Sequence, residues 1–290
     1  MTTLEELGLL KMDFLGLRTL TVISDAIKIV KESRGIDVKF DKDMNDPNVY
    51  KLWAEGKTVG IFQFESAGMT KFMKELKPDS LEDIIAGVSL YRPGPMDQIP
   101  RYIQNKLNPE HAVYTHPALK PILNVTYGCM IYQEQVMQIV RELAGYSLGR
   151  ADLVRRAMGK KKLDVMAKER KIFIYGEVDE NGNVIVPGCV RNGISEEDAD
   201  RIFDEMAEFA KYAFNKSHAA AYAVVSYRTA YIKAYYPEAL LAATLNSFLG
   251  NLDKIPMYID ECKNLNIKIL KPDINKSSTR FTVDNGKIRF

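Results

Sequence analysis

The chain has 290 residues, 46% of them hydrophobic, and its 40 Lys and Arg against 38 Asp and Glu leave a formal net charge of +2. That is enough apolar material for one large or two modest cores, and it excludes a uniformly basic coat. Cys129, Cys189 and Cys262 are far apart and lack paired histidines, so neither a disulfide framework nor a zinc site is signalled; a reducing cytoplasm fits best, and no apolar run approaches membrane-spanning length.

In residues 9–15, Lys11 and Asp13 alternate with Leu10, Met12 and Phe14 as in a strand, which puts the two charges on one face. A carboxylate among apolar neighbours is costly unless it is paired or holds a cation, so Asp13 is read either as the partner of Lys11 or as a cation ligand. Residues 19–31 form a predicted helix with Leu20, Ile23, Ile27 and Val30 on one stripe. A polar loop at 37–48 follows, and Asp46-Pro47 opens a short helix over 49–55. Residues 60–69 begin as an alternating, strand-like run and turn into a helix at 70–76, and Ser80 caps another at 81–90. The turn Tyr91-Arg-Pro-Gly-Pro-Met96 is stiffened by its prolines. Arg92 on that turn is either a binding group on a rigid loop or part of a structural turn. Residues 107–123 read as proline-punctuated loop with a short turn of helix, and 129–144 as helix.

The next stretch, 145–162, concentrates positive charge. Ser147 can cap a helix at 151–158 that ends at Gly159, carries Arg155 and Arg156, and is followed by Lys160, Lys161 and Lys162. Neighbouring helix residues point about 100° apart, so one arginine faces a given ligand and the other reaches round the flank. Guanidinium forks suit phosphate; a solvated basic helix end is the alternative. From 141 to 171 there are ten Lys and Arg against four Asp and Glu, net +6, whereas 192–210 has seven acids against Arg201 alone, net −6. Between them lie a helix to 175 and a hairpin-like excursion ending at Pro187-Gly188. Ser195 and Asp198 then cap an acidic helix over 196–209, its acidic face read mainly as solvated.

If 211–236 is helical throughout, Lys211, Asn215, His218 and Tyr222 share a sector of about 60° on an alanine-rich helix. Such a face can stack on a base and reach phosphates; a core helix with internally satisfied polar groups is the alternative. Helices over 238–249 and 253–264 follow, and Asp284-Asn-Gly286 is a hairpin signal near the end.

Six motifs then coincide in order: Leu9-Leu-Lys-Met-Asp-Phe-Leu-Gly-Leu17, Gly60-Ile-Phe-Gln-Phe-Glu65, Tyr91-Arg-Pro-Gly-Pro-Met96, Tyr132-Gln-Glu-Gln-Val-Met137, the basic stretch 145–162, and Phe214-Asn-Lys-Ser-His-Ala-Ala-Ala-Tyr222. Together they resemble the C-family replicative DNA polymerases, the bacterial DNA polymerase III alpha subunits, over essentially the whole chain. The resemblance implies a mainly α fold with short β elements: a palm remnant at 1–37, helical fingers at 38–250, and the start of a duplex- and clamp-binding region at 251–290. It further implies that Asp13 is the last of three palm aspartates holding two Mg²⁺ ions, with Lys11 beside it facing phosphate. By the same resemblance, the segment with Arg155 and Arg156 would meet the nucleotide triphosphate and the segment with Asn215, His218 and Tyr222 would line the nascent pair; Arg92 and Lys160 are read as further nucleotide-binding groups. Its partners would be template-primer DNA, dNTPs and, through regions mostly outside this chain, the sliding clamp and other replisome subunits. The upstream aspartate pair, most of the palm and a phosphoesterase-like domain do not appear in the sequence, so an excised and by itself inactive piece is expected. A stand-alone nucleic-acid-binding module without catalysis is the rival reading.

Overall fold

The computed structural model describes residues 2–159, 163–251 and 253–290, with only the backbone of Thr2, Glu5 and Leu163. It is mainly helical. In chain order the helices before the first strand are α1 Thr2–Glu6, α2 Arg18–Arg34, α3 Pro47–Ala54, α4 Ala67–Leu76, α5 Leu81–Leu90, α6 Ile99–Leu107, α7 Lys120–Leu123, α8 Gln133–Ala144, α9 Leu148–Gly159 and α10 Leu163–Tyr175. A small hairpin, β1 Glu177–Val178 and β2 Val184–Val186, precedes α11 Glu196–Phe209, α12 Lys216–Tyr235, α13 Pro237–Ser247 and α14 Ile255–Asn264. The chain closes with β3 Ile269–Leu270, β4 Thr282–Asp284 and β5 Lys287–Arg289.

Two compact units divide these elements. The first comprises 1–40, 59–62 and 228–290. Its centre is α13, whose residues 238–245 are all buried and which packs on α2. A helix apolar on every side has to be covered on every side, and its one buried acid, Glu238, is paired with Arg34. Lys233 is likewise buried, bonded to Glu261 and to the carbonyl of Val59 at 2.6 Å each. In the small sheet of this unit β5 lies between β3, which it pairs in parallel, and β4, which it pairs antiparallel. Asn285 and Gly286 both have positive φ, as the Asp-Asn-Gly sequence requires for a two-residue hairpin.

The second unit comprises 41–58 and 63–227. The apolar faces of α8, α9, α10 and α11 converge on Phe173, Phe203, Ile139, Val154 and Met206. Elsewhere in the unit Trp53 packs edge-on to Phe64 and near Tyr50, which in turn meets Tyr227. Asp83 on α5 is buried and held by Lys106 of α6 at 2.6 Å, within reach of the Tyr102 hydroxyl.

Several sequence expectations give way to tertiary structure. Residues 9–17 are not a strand: no ladder partner exists for them among the described residues, and Leu10, Phe14 and Leu15 are exposed. The run at 60–65 is a folded turn, because Gly60 and Gln63 adopt positive φ, and Ile61 and Phe64 are buried from turn positions. The buried stripe of α2 is Val22, Ile23, Ala26, Ile29 and Val30, rotated from the expected one, and Leu20 is exposed. Helix α6 was hidden by Pro100, which sits in the first turn, where a missing N–H costs nothing. Residues 129–132 stay out of α8 because the Gln135 side chain takes the N–H groups of Ile131 and Tyr132. The acidic face of α11 is only partly solvated, since Arg170 pairs with both Asp200 and Asp204.

Candidate functional site

Helix α12 does not run from 211. Phe214 bridges Tyr132 in parallel, accepting from the N–H of Gln133 at 2.8 Å and donating to the carbonyl of Ile131 at 3.1 Å. That extended pairing excludes a helix through 211–214, so Lys211 lies in a turn outside α12. Asn215 becomes the cap: its Oδ1 accepts from the N–H of His218 at 2.8 Å. Glu134, in the first turn of α8, completes the cap by accepting from the Lys216 N–H at 3.0 and 3.1 Å and from Asn215 Nδ2 at 3.2 Å. A carboxylate suits the positive end of a 20-residue helix.

From this anchored turn a line of rings projects. Phe214 and His218 have centroids 5.7 Å apart, and His218 and Tyr222 4.3 Å apart. Asn215 and His218 are exposed, Tyr222 half-buried. The four-residue spacing stacks side chains along one face. Arg92 closes the line from below: its guanidinium lies 4.4 Å over the Phe214 ring, donates to the carbonyl of Tyr212 through Nη2, and donates to that of Ser89 through Nε at 2.8 Å. Burial lowers its pKa. Gly94 of the same turn has φ 99°, and a Cβ there would meet the Tyr212 ring at 2.5 Å, so the turn abuts that segment. Helix α9 ends beside it too, since a Cβ on Gly159 would lie 3.5 Å from the Ala210 carbonyl. The turn at 91–96, the end of α9 and the start of α8 thus converge on 210–215.

On α9, Ser147 caps as expected, accepting from the Arg150 N–H at 3.3 Å. Arg155 and Arg156 share one acid, Asp152, at the i−3 and i−4 positions. Arg155 binds its Oδ1 with Nε at 3.0 Å and Nη2 at 2.7 Å, and Arg156 its Oδ2 with Nε at 2.7 Å. The hydrogen bond from Arg155 leads in holding the Asp152 carboxyl below its ordinary range. Arg156 is 62% exposed and Arg155 only 21%. Arg150 turns inward, paired with Glu169 and Glu177 and lying over Tyr146; burial works against its charge and the two carboxylates raise its pKa. Lys160, Lys161 and Lys162 lie outside the described residues.

Lys11 and Asp13 belong to the first unit, where Lys11 Nζ lies 3.2 Å from Asp13 Oδ1 and both side chains are exposed. Among the described residues no three or more His, Cys, Asp or Glu side chains are grouped to hold a metal ion. Two Mg²⁺ ions need several carboxylate oxygens, so Asp13 paired to Lys11 does not fit a two-ion centre by itself. Sequence reasoning missed Glu134, Phe214 and Asp152. Asp152 was legible from its spacing to the two arginines; Glu134 lies 81 positions before Asn215, and only the motif around it gave a signal.

Residues 19–181 match the family model of the bacterial DNA polymerase III alpha subunit finger domain, and this chain belongs to that family. It is 49% identical, over its whole length, to DNA polymerase III subunit alpha of Thermus aquaticus and covers 23% of that protein. Against the same subunit of Rickettsia bellii it is 50% identical over 95% of its length, covering 22%. Against that of Bacillus subtilis it is 44% identical over its whole length, covering 25%. The chain therefore spans about a quarter of the length of these relatives. No helix among the described residues is long and apolar enough to cross a membrane.

Proposed function

We propose that this chain is the nucleotide-facing segment of a cytoplasmic, replicative DNA-directed DNA polymerase. Residues 38–250 are its fingers, 1–37 a palm remnant and 251–290 the start of the part that meets duplex DNA and the sliding clamp. The observation that carries this reading is the ring line that runs from Phe214, just before α12, to His218 and Tyr222 on that helix, anchored where α8, the end of α9 and the Arg92 turn converge. A row of tilted rings at the start of a capped helix offers a pre-set edge to a base, and exposed guanidinium offers charge to a triphosphate. Arg92 and Asn215 serve this surface from behind, by holding Phe214 and capping α12. Arg156, Arg155 and Lys160 supply charge, and His218 and Tyr222 the contact face. Asp13, with Lys11, would add one carboxylate to a Mg²⁺ pair whose other ligands lie outside this chain; when bound, those ions would activate the primer hydroxyl and neutralise triphosphate charge.

A chimera tests the reading. With this chain in place of the matching quarter of the Thermus aquaticus subunit, primer extension is expected with Mg²⁺ and all four dNTPs. In that chimera Tyr222→Phe keeps the stack and loses little, whereas Tyr222→Ala lowers incorporation efficiency about 5- to 150-fold, the worth of one base stack. A chimera that folds but never extends, while the chain alone binds DNA, would favour the binding-module reading. If Tyr222→Ala lowers only the melting temperature, the ring is packing and not a contact.

A further inference from the structure

We infer that Asp152 is the positioning residue for the basic end of α9: its carboxylate, fixed by Arg155, pins Nε of Arg156 and so sets the edge which that guanidinium presents to an anion. The inference deepens the reading above and rests on Arg156 meeting the triphosphate.

The spacing sets up the arrangement. Residues three and four apart share a helix face, so one acid at 152 can reach both 155 and 156 although these two point about 100° apart. The acid precedes both bases, the favourable order along a helix. The structure divides the carboxylate between them. Its Oδ1 accepts from Arg155 Nε at 3.0 Å and Nη2 at 2.7 Å, and its Oδ2 lies 2.7 Å from Arg156 Nε. Arg155, with a side chain 21% exposed, thus uses its fork to fix the acid, and the second oxygen of the acid fixes Arg156, which is 62% exposed. Because a guanidinium is rigid and planar, holding Nε also fixes the direction of the Nη1–Nη2 edge, an edge that can fork onto a phosphate.

An acid beside a triphosphate site has two opposed effects. Its charge repels the anion, whereas its hydrogen bond orders Arg156 before binding, so that less rotamer freedom is lost when the anion arrives. Ordering one long side chain in advance is worth about 2- to 12-fold in affinity. On an exposed helix end water and salt damp the repulsion, so pinning outweighs it.

Primer extension by the chimera at about 150 mM salt, with kinetic constants for dATP, tests this. Asp152→Ala is expected to lower kcat/KM about 2- to 12-fold, mainly by raising KM. D152N keeps an acceptor oxygen without the charge and should fall between D152A and the wild type. Added to R156A, D152A should cost less than about 2-fold more, because Asp152 acts through Arg156. Efficiency equal to or above wild type in either single variant would make Asp152 a charge brake and overturn the inference. So would D152N no better than D152A, or an equal cost of D152A with and without Arg156, which is what a merely structural loss gives. Alanine favours helix, so D152A should fold; if it does not, D152N decides by whether its loss disappears in the R156A background. R156A without effect would sink the triphosphate reading itself, and this inference with it. A second measurement needs no substrate: in the NMR spectrum of the 290-residue chain, the Arg156 Nε–H signal, assigned by its loss in R156A, should exchange slowly with water and lose that protection in D152N. Equally fast exchange in both proteins overturns the pinning.

Discussion

Replacing Arg156 by alanine is expected to lower nucleotide incorporation in the chimeric enzyme roughly 10- to 150-fold, the cost of one charge-assisted contact of about 1.5 to 3 kcal/mol. Arg155→Ala should cost less. Both arginines lean on Asp152, but Arg155 commits Nε and Nη2 to it and is largely covered, whereas Arg156 gives only Nε and keeps the rest of its fork exposed. Two guanidinium groups sharing one carboxylate leave one positive charge uncompensated in the triad. Steady-state kinetics of each variant, with circular dichroism to establish folding, decides the matter. Unchanged efficiency in both would return this helix end to an ordinary solvated surface.

Alanine at Gly176 should destabilise the second unit by about 2 to 5 kcal/mol, combining a disfavoured backbone conformation with backbone overlap. Gly176 has φ 87°, and a Cβ there would sit 2.4 Å from the carbonyl oxygens of both Val186 and Pro187. Gly188 faces it from the other side of the hairpin base, where a Cβ would fall 2.2 Å from the Gly176 nitrogen. Neither neighbour is a flexible side chain that can swing away, so the backbone itself must move. Thermal or urea unfolding of the G176A variant measures the effect, and a loss below about 1 kcal/mol would mean the hairpin base yields more easily than its packing indicates.

What could be read from the sequence was the local chemistry. Asp46, Ser80, Ser147 and Ser195 cap where their side chains accept the first free N–H groups, and Asn285-Gly286 turns the last hairpin. What could not be read depended on partners distant in sequence. The alternation at 9–15 has no ladder to join among the described residues, and 211–214 is drawn into pairing with Tyr132. The same holds at the candidate site. The residue types at 155, 156, 218 and 222 announced a basic end and an aromatic face, but Arg92 reaching Tyr212, 120 positions on, and Glu134 capping Asn215 exist only once the chain is folded. Net charge misled in the same way: of the ten basic residues between 141 and 171, Arg150 and Arg170 are taken up by Glu169, Glu177, Asp200 and Asp204.

The central claim is that this chain carries an anion-reading, base-stacking surface, and a salt titration of primer-template DNA binding to the 290-residue chain tests it most directly. Neutralising roughly two to four phosphates predicts that affinity falls about 10- to 150-fold between about 50 and about 200 mM salt, linearly on logarithmic axes. The slope should be shallower in R156A. Binding that does not change with salt, or no binding at low salt, would contradict the account.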